Sequence, residues 1–195
     1  MDDGSTDTTR DQLGMLRAPH AGISLVVVLQ PRNRGKGAAV RAGFRRVTRP
    51  VTIVQDADLE YDPADYSALV TPILDGKADL VFGVRFHGLR EGLDWMHHAG
   101  NRALTLWSNL FTGLHIRDVH SCYKALDSRL LPKLRLKRDR FDIDPEMTVR
   151  VARLRLRVRE VPIRYVPRRW REGKKIGWFD AIEALATTAR LALWD

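Results

Sequence analysis

Short continuous apolar runs alternate along this chain with stretches whose apolar residues recur at helical spacing, the pattern of an α/β architecture. Residues 24–29 (SLVVVL) form such a run, as expected of a strand buried on both faces, and it ends at Pro31 and the polar turn Arg32-Asn33-Arg34-Gly35. From about Gly37 to Val47 the residues Val40, Phe44 and Val47 recur at helical spacing, and Pro50 then resets the chain into a second buried strand, Val51–Val54. Pro63 opens a helix with Tyr66, Leu69, Val70 and Ile73 on one face, and Gly76 closes it. Residues 80–84 read as a third strand and residues 86–94 as a loop rich in glycine and charge. A long amphipathic helix follows through Ala103, Trp107, Leu110, Phe111 and Leu114. Another starts at Asp144-Pro145-Glu146, with Asp144 as its N-cap and Met147, Val151 and Leu154 as its apolar face. Residues 159–166 alternate like an antiparallel or edge strand, and Pro162 favours the edge. Trp178–Trp194 reads as a final helix. No repeat or linker interrupts the series, so residues 1–195 are expected to form one domain. Only the beginning breaks the rhythm: Asp2-Asp3-Gly4-Ser5 is a turn and capping sequence that should hang from a preceding apolar strand.

Composition narrows the partners. With 44% hydrophobic residues the chain can bury a sizeable core, so disorder is excluded. A net charge of +9 attracts polyanions: nucleic acid, an anionic membrane surface, or phosphate-bearing small molecules. The single cysteine, Cys122, excludes an intrachain disulfide, fits a reducing compartment, and reads as a buried, inert thiol. Met1-Asp2-Asp3 lacks the basic and apolar regions of a signal peptide, and no run approaches the roughly 20 apolar residues of a membrane span.

Four segments carry candidate chemistry. Asp56-Ala57-Asp58 follows a Val-rich strand, and in open sheets ligands bind beyond the carboxyl ends of the strands. Two carboxylates one residue apart can bracket a hard divalent cation that bridges phosphate oxygens, although a solvated acidic turn has the same spelling. Asn33-Arg34-Gly35-Lys36-Gly37 lies between a strand and a helix, where glycines let backbone N–H groups approach an anion. It lacks P-loop spacing, and a plain strand-to-helix turn explains it equally. The basic turn around Arg168, Arg169, Trp170, Arg171, Lys174 and Lys175 suits diphosphate or lipid phosphate, a nucleic-acid patch, or simple solvation. Asp118, in the polar segment that reaches Lys124, reads as an acceptor-positioning group, a base or, on spacing alone, a helix cap. His97-His98 is no metal pair, because adjacent helical residues point about 100° apart.

Taken in order, these segments resemble the family 2 glycosyltransferases of the GT-A fold, in the branch of dolichol-phosphate and polyprenyl-phosphate mannosyl- or glucosyltransferases. The resemblance rests on DDGSTD at 2–7, NRGKGAAVRAGF at 33–44, DADLE at 56–60, GVRF at 83–86 and GNRALT at 100–105. It continues through DVHSCYK at 118–124, FDIDPE at 141–146, EVPIRY at 160–165 and EGKKIGW at 172–178. It implies a Rossmann-like, mostly parallel sheet flanked by helices, lacking the family's first strand or strands and its Pro-x-Tyr/His-Asn-Glu segment. It further implies metal-dependent, inverting transfer of a hexose from GDP-mannose or UDP-glucose to a polyprenyl or dolichyl phosphate, with Mg²⁺ or Mn²⁺ as cofactor. The alternative is a truncated or degenerate protein of the same fold without activity.

By the same resemblance, Asp3 contacts the nucleotide, and Asp56, Ala57, Asp58, Glu60, Arg85, Arg169 and Lys175 bind the donor. Asp56, Asp58 and Glu60 hold the metal, Arg102, Ser121 and Lys174 receive the acceptor phosphate, and Asp58 and Asp118 are the catalytic pair. His120 stands where an acidic residue is expected. The expected setting is the cytoplasm, peripherally at the inner face of the cell membrane, with no nucleic-acid partner.

Overall fold

The computed structural model describes residues 1–17, 20, 22–85, 95–166 and 178–194. Among them four strands form one sheet: β1 (Val51–Val54), β2 (Leu80–Arg85), β3 (Lys124–Asp127) and β4 (Val158–Ile163), in the order β1-β3-β2-β4. The helices are α1 (Thr9–Met15), α2 (Lys36–Phe44), α3 (Tyr66–Leu74), α4 (Trp95–Thr112), α5 (Leu131–Leu134), α6 (Ile143–Arg153) and α7 (Trp178–Trp194). A 3₁₀ turn at Pro63–Asp65 precedes α3, its first backbone groups capped by the Asp62 carboxylate.

The sheet meets the expectation of mostly parallel strands: β1, β2 and β4 run in one direction, and β3 alone among the described strands runs against them. Strand β3 pairs antiparallel with both β1 and β2, which flank it, and β4 pairs parallel with β2. The four residues of β3 include just two apolar ones, Ala125 and Leu126, too few to announce a strand by periodicity. Strand β4 takes the edge position expected of residues 159–166, but in parallel register.

Alternation along the central strands builds two cores. Val81, Ala125 and Tyr123 pack with Leu69 and Ile73 of α3, whereas Leu80, Phe82 and Leu126 pack with Met147 and Val151 of α6. Phe82, Leu69 and Leu80 are fully buried, each burial contributing about 1.5–3 kcal/mol. Helix α7 lies against α4 and α6, and the Trp107 indole N–H donates to the Leu185 carbonyl at 3.1 Å.

Residues 24–29 correct an expectation. They form no strand, and Leu25, Val26 and Leu29 are 45%, 57% and 47% exposed. Among the described residues their pairing is one parallel bridge, in which Asp2 N–H donates to Val28 C=O and Gln30 N–H to Asp2 C=O. A β-prone run becomes buried only when neighbours cover it, and a one-residue bridge does not. Helix α6 also begins differently from its reading: Asp142 is the N-cap residue, and Asp144 lies in the first turn with its carboxylate turned to a buried lysine.

Candidate functional site

Residues 56–60 leave the end of β1 as an irregular loop held at both ends. Before it, the Gln55 amide oxygen accepts from the hydroxyls of Tyr123, at 2.9 Å, and Tyr66. At its start the Asp56 N–H donates to the Cys122 sulfur at 3.0 Å. Beyond it, Val166 N–H donates to the Glu60 carbonyl, and Tyr61 pairs with Tyr165. Between these anchors Leu59 adopts φ 62° while 90% exposed, a left-handed turn that an apolar, non-glycine residue rarely takes.

On either side of that turn the carboxylates take different partners. Asp58 Oδ1 accepts from Glu60 N–H at 3.2 Å, whereas the Glu60 carboxylate accepts from the Tyr165 hydroxyl at 3.3 Å. The three-carboxylate metal set Asp56, Asp58 and Glu60 is therefore not assembled: among the described residues no three His, Cys, Asp or Glu side chains converge. Asp56 and Asp58 still suit Mg²⁺ or Mn²⁺, because such ions take one or two protein carboxylates and complete their shell with phosphate oxygens and water. The donor set fits a cation shared with a diphosphate, not a closed protein cage.

Behind Asp56 lies a chain of buried charge. Side chains at a helix start lean toward its N-terminus, so Lys36, the first residue of α2, reaches back to the loop. Its Nζ lies 3.2 Å from Asp56 Oδ2 and 3.4 Å from Asp144 Oδ2. Lys124, whose ammonium lies over the Phe82 ring on the α6 side of the sheet, meets Asp144 Oδ1 at 2.7 Å. Burial disfavours the Lys36 charge, but Asp144 and Asp56 outweigh it and raise its pKa. Burial likewise opposes ionisation of Asp144, and the two lysines hold its carboxyl well below the usual range.

A second charged pair sits at the end of β2. Arg85 grips Asp118 through two bonds of 2.7 and 2.8 Å, Asn101 Nδ2 adds a third at 3.1 Å, and the guanidinium lies over the Tyr165 ring. Burial works against the Asp118 charge, yet these donors keep its carboxyl below the ordinary value. His120 faces Asp144, Lys124, Asp118 and Arg85; burial pushes its pKa down to about 4, so the imidazole is neutral at pH 7. Ser121 is fully buried, and its hydroxyl has no partner among the described residues. Arg102 is exposed on α4 beside Asn101, and Ala57 is exposed in the loop. Arg169, Lys174 and Lys175 lie outside the described residues.

The glycine turn before α2 serves packing. Asp3 accepts from the N–H groups of Arg34, at 3.1 Å, and Gly35, at 2.7 Å, so the protein's own carboxylate occupies the anion position. A Cβ on Gly37 would stand 2.4 Å from the Arg138 carbonyl, and one on Gly35 2.7 Å from the Asp139 carbonyl. These glycines admit a neighbouring backbone.

Sequence reasoning placed Lys36 in a candidate anion turn and Asp144 at a helix cap, and gave neither of them, nor Lys124 or the tyrosines around Gln55, a place beside the acidic loop. Lys36 had a usable signal: a basic residue opening the helix that precedes the acidic loop's strand. Lys124 and Asp144 had none, because their pairing depends on β3 and on the true start of α6.

The mixed sheet, with a D-x-D loop at the end of β1 and helices on both faces, is the GT-A glycosyltransferase fold. Residues 1–135 match the family described as glycosyl transferase family 2, and the chain belongs to that family. It is 32% identical over 170 residues to glycosyltransferase AglJ of Haloferax volcanii, covering 86% of this chain and 53% of that protein. It is 27% identical over 174 residues to the undecaprenyl-phosphate 4-deoxy-4-formamido-L-arabinose transferase of Serratia proteamaculans, covering 89% of this chain and 51% of that one. The chain thus spans about half the length of these relatives. Glucosyl-3-phosphoglycerate synthase of Mycobacterium tuberculosis, solved with Mn²⁺, UDP-glucose and phosphoglyceric acid, superposes with a TM-score of 0.69 at 20% identity. That likeness covers 98% of this chain and 67% of the solved one, and it is a likeness of fold.

Proposed function

We propose that residues 1–195 form a single glycosyltransferase domain that moves a hexose from a nucleotide-sugar donor to a polyprenyl-phosphate acceptor. The observation that carries the reading is the D-x-D carboxylate pair, Asp56 and Asp58, at the carboxyl end of β1 and backed by Lys36. The undecaprenyl-phosphate relative supports the acceptor class, and the Mn²⁺ and UDP-glucose of the structural neighbour support a divalent ion and a nucleotide-sugar donor.

Asp56 and Asp58 would hold Mg²⁺ or Mn²⁺, which supplies charge stabilisation for the nucleoside diphosphate as it leaves. The remaining work falls to the chain. The tyrosine hydroxyls on Gln55 and the Cys122 sulfur on the Asp56 N–H fix the loop, so its carboxylates need no reorganisation during transfer. An acceptor phosphate is already an anion, so it needs alignment more than deprotonation. Arg85, carried by Asp118, and Arg102 on α4 are the cations for that alignment, with Asp3, Ala57 and Glu60 on the donor side. Ser121, being fully buried, backs the acceptor side without reaching it, and Arg169, Lys174 and Lys175 would close over the phosphates. Attack opposite the leaving group inverts the anomeric carbon. The +9 charge suits an approach to the acceptor at an anionic bilayer.

The test is transfer of radiolabel from UDP-glucose or GDP-mannose into the organic phase with undecaprenyl phosphate and Mn²⁺. Label should enter the lipid, and Asp58→Asn should lower the rate at least about 100-fold, since Lewis-acid stabilisation is worth several kcal/mol. No transfer from either donor, with Mn²⁺ or Mg²⁺, would sink the reading. The exposed residues 24–29 favour one rival, a protein of this fold without activity, which calorimetry would support by finding no binding of UDP, GDP or Mn²⁺.

A further inference from the structure

Lys36 is shared between two carboxylates of unlike character. Asp144 is buried and already paired with Lys124, whereas the Asp56 side chain is 34% exposed and belongs to the candidate cation pair. Lys36 itself is only 15% exposed, so its ammonium has little water to turn to and gains its counter-charge from these two groups. In the free protein a fixed monovalent cation therefore already neutralises one of the two carboxylates that a divalent ion would need.

Building on the function proposed above, we propose that Lys36 is a resident counter-ion that makes cation capture by Asp56 and Asp58 conditional on a diphosphate. A divalent ion arriving alone meets a carboxylate whose charge is spent on the ammonium, and like charges a few ångströms apart repel even in a partly hydrated site. A nucleoside diphosphate brings added negative charge, which balances Lys36 and the divalent ion together. The two ligands then favour one another, and the coupling is reciprocal by necessity. Asp144 sets the strength of the effect, because it draws part of the Lys36 charge away from Asp56. Both are positioning residues in this scheme, acting on the cation through Asp56.

Mn²⁺ binding, followed by calorimetry and by the electron paramagnetic resonance of free Mn²⁺, tests this without any turnover. The intact protein should bind Mn²⁺ weakly alone and about tenfold or more tightly with UDP or GDP present, within the usual span of coupling between sites. Lys36→Gln should tighten binding of Mn²⁺ alone by about tenfold and shrink the nucleotide effect correspondingly. Asp144→Asn should act in the opposite sense and weaken Mn²⁺ alone, because Lys36 then leans wholly on Asp56. A merely structural role would weaken Mn²⁺ binding in both variants, so opposite signs are the signature. Equal or weaker binding of Mn²⁺ alone in Lys36→Gln overturns the inference. It leaves the glycosyltransferase reading intact if the unaltered protein still binds Mn²⁺ with UDP or GDP. Absence of Mn²⁺ binding under every condition removes both.

Discussion

Two valine-rich runs, residues 24–29 and β1, look alike in sequence and end differently. Strand β1 pairs with β3 over four residues, from Val51 beside Asp127 to Val54 beside Lys124, and the Thr52 and Ser128 hydroxyls join at 2.7 Å. The earlier run has one bridge to Asp2 and leaves Val26 57% exposed. The first is half-buried though it edges the sheet, because α3 covers it; the second has the same propensity without a cover. Intrinsic preference for extended structure is therefore shared, and burial is conferred by neighbours.

Substitutions can widen or collapse that contrast. The largest effect belongs at the sheet centre: Phe82→Ala should cost about 3–5 kcal/mol in chemical denaturation, since Phe82 is fully buried between β3 and α6. A loss below about 1 kcal/mol would mean that this core is loosely packed.

Acid should erode the same side of the molecule next. The unfolded chain takes up the His120 proton near its ordinary value of 6.5, whereas the folded chain resists until about 4. Stability from this group is thus intact above pH 6.5 and falls as pH drops towards about 4, by up to roughly 3 kcal/mol. Denaturation midpoints for His120→Gln should lack that component of the slope, and an unchanged slope would place the imidazole in water.

The smallest effect should come from the uncovered run. Val26→Ser should shift stability by no more than about 0.5 kcal/mol, while Val81→Ser, at a fully buried position, costs several times that. A Val26 loss as large as that at Val81, in β2, would mean that the uncovered run is packed as well as a covered strand.

Much of this was legible beforehand, for identifiable reasons. Val51–Val54 and Trp178–Trp194 were readable to the residue, because each sits between clear punctuation and keeps one period throughout. Strand β3 was not, since Lys124 and Asp127 occupy half of it: Lys124 is buried through Asp144, twenty residues on, and Asp127 through its neighbour Arg129. The acidic loop itself was visible as D-A-D after a strand, and so was Arg85. The path of the loop was not, because Leu59 turns the backbone between Asp58 and Glu60 without any glycine to advertise it. Asp3 shows a subtler loss. A glycine turn before a helix signals an anion site, but not that the anion is a side chain 31 residues earlier.

The Cys122 thiol, the only one in the chain, has a practical consequence. Burial lifts its pKa well above the ordinary value, and its sulfur is occupied by the Asp56 N–H, so alkylating reagents will find it nearly inert while the loop stays closed. Its labelling rate in native buffer is therefore a clock for local opening of the 56–60 loop. The same silence leaves the surface free for a spectroscopic label on one engineered cysteine, with the native thiol contributing almost no background.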